Sequence, residues 1–527
     1  MNNQPPADSY QTTAAATKLV RMTPDEPRHR SPLSRRAFLA ASGAAAAGAP
    51  FLRLTSQETV SDSLPHDPPA DDPRALSLVD LATAIRSGRV SSEHAVRAYL
   101  DHIAAVNPRL NAVVQLRRDA AIAEARAADR APREKRGPLH GVPATIKDSL
   151  DTAGIITTGG TKGRANFIPE HDATVVARLR AAGAIVLGKT NTPDLTMAFE
   201  TNNLVYGRTN NPFDVARTPG GSSGGAAAIV AAGGSPLDIG SDTGGSIRVP
   251  SHFCGIAGIK PTAGRVSRAG HIIDFTGPAE SLTHIGPLAK RVDDLAFALS
   301  IIAGPDNVDP HIVTAPLGDH KKVLVRDLRV AYFIELGSLL PTVETVNAVE
   351  HALRILEKAR CKTTAVKIPA ADDIYATYTG LIWGDGGAGM ARILAKWGTT
   401  ESPLFDRIKA ATTLSSADYS AQYERFDSWR STMLRLFADF DVLICPVNGG
   451  PAPLHGTFSR PAAAYTQLFD LTGWPSTVIR AGTSPEGLPL GIQCVAHPWR
   501  EDLSLAVARH LEAAFGPFPG PSLTGRS

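Results

Sequence analysis

The chain has 527 residues, 43% hydrophobic and 20% charged, with 54 basic against 51 acidic side chains and a net charge of +3. This is an ordinary globular composition, long enough for one large domain or two or three smaller ones. No basic stripe supports nucleic-acid binding, no internal repeat is visible, and no apolar run is long enough to span a membrane in the mature chain.

Residues 1–33 are polar, carry Pro and Arg, and show no periodicity. Ser34-Arg35-Arg36-Ala37-Phe38-Leu39 follows, and then a run over 40–49 made almost only of Ala and Gly. A twin-arginine pair ahead of a short, weakly apolar run is the pattern of a Tat export signal. The expected localisation is therefore the periplasm or cell surface. The competing reading is a basic tail meeting an Ala-rich helix, and Ala40 stands where the motif often has Lys. The chain divides into a signal region (1–50), a Pro/Asp/Ser-rich linker (51–75), a main domain (76–515) and a tail (516–527).

Periodicity begins at Leu76. Leu78, Leu81, Ala82 and Ile85 mark one apolar helix face that Gly88 stops, and Ser91 caps a second helix carrying Ala95, Tyr99, Ile103 and Val106. His102 on that helix reads as a packed or edge histidine. A third helix is expected over 117–131. Residues 139–146 read as a turn into a buried strand, with Lys147 at its end and Asp148 beside it. Further helices are expected over 172–182, 288–302 and 501–514, and strands over 184–187, 330–334, 441–446 and 490–495. Strands alternating with helices, several as continuous apolar runs, predict an α/β fold: a large mixed twisted sheet covered by helices on both faces. Between 370 and 440, Tyr375, Tyr378, Trp383, Trp397, Phe405, Tyr423 and Trp429 concentrate aromatics on helical patterns. Either a substrate-covering helical region or an ordinary packed layer accounts for them.

Residues 219–246, PGGSSGGAAAIVAAGGSPLDIGSDTGGS, contain nine glycines with serines set between them. Glycine allows tight turns and close backbone approach, and serine supplies a hydroxyl that a neighbouring base can activate. The stretch reads as a glycine loop (219–225), a helix (226–232), a strand (237–240) and a second glycine turn ending at Ser246. Gly220-Gly-Ser222-Ser-Gly224 also satisfies G-x-S-x-G. A nucleophile elbow, however, needs a strand running into it, and Asn210–Pro219 is a polar loop with two prolines. Ser246 has the better context, because consecutive N–H groups from Thr243, Gly244, Gly245 and Ser246 can form a nest for a tetrahedral oxyanion.

GGSSGG, then Asp242-Thr-Gly-Gly-Ser-Ile-Arg-Val-Pro250, with Gly141-Val-Pro-Ala-Thr-Ile-Lys-Asp148 upstream, closely resembles the amidase signature family. The resemblance runs from about Leu76 to Leu511, so 76–515 is the expected amidase domain. Within the family it looks more like the fatty-amide-hydrolase and general bacterial amidase branch. It implies Ser246 as nucleophile, Ser222 as the bridging hydroxyl, Lys147 as base, and Ser223 and Asp242 orienting the loops. Arg248 reads as a structural ion pair.

The activity implied is hydrolysis of a small-molecule carboxylic amide, with an apolar acyl or aryl group, through an acyl-serine and without cofactor. Two other readings stand beside it: an amidotransferase A-type subunit supplying ammonia to partner chains, and a catalytically silent binding protein. A Tat signal argues against the amidotransferase, which works in the cytoplasm. A homodimer is left open. His252, His271 and His284 are isolated and lack metal-ligand spacing, so no metal is expected, and no phosphate-loop motif occurs. Cys254, Cys361, Cys445 and Cys494 read as buried thiols, with a disulfide left open.

Overall fold

The computed structural model describes residues 72–522. The Arg35–Arg36 pair, the 1–50 region and most of the 51–75 linker lie outside the described residues. The organising element is one eleven-stranded sheet. Its strands are β1 (Val113–Leu116), β2 (Pro143–Lys147), β3 (Ile185–Thr190), β4 (Leu237–Asp242), β5 (Ala257–Lys260), β6 (His284–Ala289), β7 (Arg329–Tyr332), β8 (Lys362–Ala365), β9 (Val442–Pro446), β10 (Ser476–Thr483) and β11 (Pro489–Ala496). They lie in the order β1-β3-β2-β4-β6-β5-β10-β11-β9-β7-β8.

The sheet is mixed. β2 runs parallel to both β3 and β4, β9 is parallel to β7 and β7 to β8, while the strands from β4 through β11 to β9 pair antiparallel. β2, β3, β4, β9 and β11 are buried at every position. Alternate residues of a strand point to opposite faces, so full burial means both faces are covered. Among the covering helices, Gly224–Ala231, Val343–Lys358 and Glu501–Phe515 pack on the sheet. The expected caps are in place: Gly88 sits in the left-handed region at φ 83°, and Ser91 Oγ accepts the His94 N–H.

Several boundaries differ from expectation, one of them by a whole strand. Residues 284–289 form β6, and the helix expected over 288–302 starts only at Val292. Leu288 pairs with Asp238 on one side and Gly258 on the other, so it belongs to two ladders. Gly286 and Pro287 hide the strand signal, since both residues are poor in sheets; here the β5 ladder ends at Leu288, before Pro287. The aromatic region is four helices, Ile374–Trp383, Ala388–Lys396, Leu404–Ala410 and Ser416–Phe437. Tyr378, Trp383 and Phe426 join Phe469 and Trp474 in a core of their own beside the sheet. All four cysteines are buried free thiols.

Candidate active site

β2 and β4 are parallel neighbours, with Thr145 opposite Asp238 and Ile146 opposite Ile239. Their carboxyl ends, where ligands bind in open α/β sheets, therefore bring Lys147 beside Ser241. β4 runs two residues beyond the expected 240, so Ser241 and Asp242 are fixed by pairing with Ile285 and His284. The first glycine loop leads into the helix Gly224–Ala231, buried from Gly224 through Val230, and the Ser223 N–H donates to Ser246 O at 3.1 Å. That bond ties the two glycine turns together.

Lys147 is 0% exposed. Its Nζ lies 2.6 Å from Ser222 Oγ, 2.9 Å from Ser223 Oγ and 2.8 Å from Ser241 Oγ. Burial pushes the amine well below its ordinary value, and the carboxylates of Asp242 and Asp238 oppose that shift without reversing it. Asp148 turns away: its carboxylate accepts from Thr158 N–H and hydroxyl. Ser223 Oγ donates to Ser241 O at 3.1 Å, so it meets Lys147 as an acceptor. Ser241 Oγ sits between Lys147 and His271 Nε2, the latter at 3.0 Å. Burial, with Lys147 and two arginines nearby, pushes His271 well below its usual value and keeps it neutral.

The second turn is organised by Asp242. Its carboxylate accepts the N–H groups of Gly245 (2.7 Å) and Ile247 (3.0 Å) and two guanidinium bonds from Arg248. Arg248 is fully buried and also reaches Asp470 at 2.6 Å, an ion pair and not a substrate contact. Asp242 is held well below the carboxylate range by these partners, whereas burial and the charge of Asp242 push Asp470 up. The expected oxyanion nest thus needs a correction: Gly245 N–H is committed to Asp242. The buried carboxylate takes the donor three residues on, a local pattern typical of Asp. No acceptor among the described residues takes the N–H of Thr243, Gly244 or Ser246.

Ser246 is 5% exposed and opens on a cavity of about 720 Å³. Phe199, Tyr375, Tyr378, Trp383 and Phe458 give it an aromatic wall, with Glu200, Arg407 and Arg460 as its charged residues. The 370–440 helices therefore both pack as a layer and line the cavity. No hydrogen bond joins the hydroxyls of Ser222 and Ser246; such contacts often close only when substrate is bound. Among the described residues no group of three or more His, Cys, Asp or Glu is placed to hold a metal ion.

A family model described as Amidase matches residues 94–505. The chain belongs to the amidase signature family. The A-type subunit of glutamyl-tRNA(Gln) amidotransferase from Oleidesulfovibrio alaskensis is 34% identical over 482 residues, covering 84% of this chain and 98% of that one. The structure of 6-aminohexanoate cyclic dimer hydrolase complexed with substrate aligns with a TM-score of 0.77 at 28% identity, covering 86% of this chain and 100% of the other. A bacterial aryl acylamidase of the amidase signature family aligns with a TM-score of 0.75 at 26% identity, over 83% and 96% of the two chains.

In this amidase signature chain, several site residues carry no local motif. Ser241 reaches Lys147 through the parallel pairing of β2 and β4, and His271 reaches Ser241 from a segment that an isolated bridge pairs with Leu150. His252, by contrast, is structural: its Nδ1 accepts the Gly491 N–H at 2.6 Å and its Nε2 lies 2.9 Å from Gly450 O. The Asp242–Arg248–Asp470 group has a measurable consequence. Arg248→Met leaves two buried carboxylates without their cation and should cost about 3–5 kcal/mol. A chemical-denaturation midpoint unchanged from wild type would show that the group is not stabilising the turn.

Proposed function

We propose that the protein hydrolyses a carboxylic amide through an acyl-Ser246 intermediate, with Lys147 as base and Ser222 as the relay between them. The observation that carries the reading is the buried Lys147 Nζ at 2.6 Å from Ser222 Oγ, behind a cavity onto which Ser246 opens. A neutral amine has two N–H donors and one lone pair. Ser223 Oγ and Ser241 Oγ receive the donors, so the lone pair is left for the Ser222 proton. Ser222 then takes the proton of Ser246 as Ser246 Oγ attacks the carbonyl carbon. The same path returned in reverse delivers a proton to the leaving nitrogen. Water repeats the cycle on the ester and releases the acid.

The aromatic wall supports an apolar acyl or aryl group on the substrate. Each buried methylene is worth about 0.8 kcal/mol, so kcat/KM should rise up to about fourfold per added carbon until the cavity is full. Initial rates on acetamide through octanamide and on an anilide series test this. A flat response, or acetamide preferred to hexanamide, contradicts it.

The relatives favour a second reading, an amidotransferase A-type subunit that passes ammonia to partner chains. The purified chain alone distinguishes the two. Turnover of apolar amides without a partner supports the hydrolase, whereas glutamine as sole substrate and dependence on co-purifying chains supports the amidotransferase.

A further inference from the structure

Asp242 removes one N–H from the turn that would face the developing oxyanion, and a side chain stands where a donor is wanted. Tyr378, on the helix Ile374–Trp383, is 9% exposed and shares the cavity wall with Thr243, Gly244 and Ser246. Its hydroxyl rests against the turn: a Cβ on Gly244 would lie 2.5 Å from Tyr378 Oη and 2.9 Å from its Cζ. Position 244 therefore has no room for a side chain, and the phenol oxygen occupies that space. No protein group among the described residues hydrogen-bonds Tyr378 Oη, whereas the Tyr465 hydroxyl is bonded to Ile334 O and Leu339 O. A tyrosine hydroxyl in an apolar setting normally finds a partner.

We propose that Tyr378 is a catalytic residue whose phenol O–H donates a hydrogen bond to the oxyanion formed when Ser246 attacks the amide carbonyl. In that step the Ser246 Oγ–carbon bond forms and the carbonyl π pair moves to oxygen. The serine proton leaves by Ser222 to Lys147, and Tyr378 keeps its own. Burial and the carboxylates of Asp470 and Asp242 push the phenol well above its ordinary value, so it remains a donor at every working pH. Thr243, Gly244 and Ser246 N–H supply the backbone part of the hole. The assignment rests on the hydrolase reading above.

Tyr378→Phe keeps the ring and removes only the donor. Losing one preorganised oxyanion donor typically costs about 10²–10³ in kcat, so kcat should fall by about that factor with KM nearly unchanged. A trifluoromethyl ketone carrying the substrate's acyl group adds to Ser246 Oγ and mimics the oxyanion. Its affinity should weaken in step with kcat, while the product acid binds as before and the denaturation midpoint stays at the wild-type value. Unchanged ketone affinity, or a rise in KM at constant kcat, overturns the proposal and leaves Tyr378 a packing residue. If wild-type protein neither turns over amides nor is labelled at Ser246, the hydrolase reading itself fails. If wild type does both and the Phe variant matches it, only Tyr378 is misassigned.

Discussion

Ser246→Ala should abolish amide hydrolysis and covalent labelling by a fluorophosphonate, whereas Ser222→Ala should keep weak, measurable turnover. Each substitution deletes one hydroxyl from the same pair of glycine turns, but the two remove different things. In the proposed mechanism Ser246 supplies the attacking atom; it opens on the cavity, while Ser222 is enclosed against Lys147 Nζ. Loss of a nucleophile in a serine hydrolase costs about 10⁶ in kcat, leaving only what binding and the oxyanion hole contribute. Loss of the relay lengthens the proton path but leaves the nucleophile and the hole in place. Equal loss in both variants, or labelling that survives in Ser246→Ala, would contradict the assignment.

Lys147→Ala should lose most activity and also the ascending limb of the pH profile. A solvated lysine titrates near ~10.4 and is an ammonium at neutral pH, unable to accept a proton. Here burial dominates and depresses Lys147 well below that, against the opposing pull of Asp242 and Asp238. With Lys147 as the proposed base the active form is the deprotonated amine, so kcat/KM should rise as pH increases through the depressed value and then level. The midpoint should lie below the ordinary lysine range. Rates across the neutral and alkaline range on wild type and variant test the sign. A variant that keeps the wild-type limb would place the base elsewhere.

How far the sequence reaches is clearest at particular residues. Lys147 could be placed at a buried strand end because Val142, Pro143 and Ile146 are apolar and adjacent in the chain, and β2 ends there. The helix between the serine turns follows from its alanines and flanking glycines. β6 was obscured because Gly286 and Pro287 interrupt the apolar pattern, while the pairing that stabilises it comes from β4 and β5. The commitment of Gly245 was readable in principle, since an Asp three residues before a turn N–H is a local signal. The positions of His271 and Tyr378 were not. Each reaches the site through tertiary packing, His271 by its bridge to Leu150 and Tyr378 from a helix far along the chain. No periodicity marks which aromatic among 370–440 will face the nucleophile and which will face Trp474.

If Ser246 carries the acyl group, a trapped acyl-enzyme should be found on that serine. A slow-deacylating substrate or a fluorophosphonate should add one group per chain to the intact protein. Trypsin leaves both serines in one peptide, Thr218–Arg248, so cleavage before Asp238 and Asp242, or fragmentation of the peptide, is needed to separate them. The added mass is expected on the fragment beginning at Asp242, with Ser222 unmodified. The mass on the fragment containing Ser222 would contradict it.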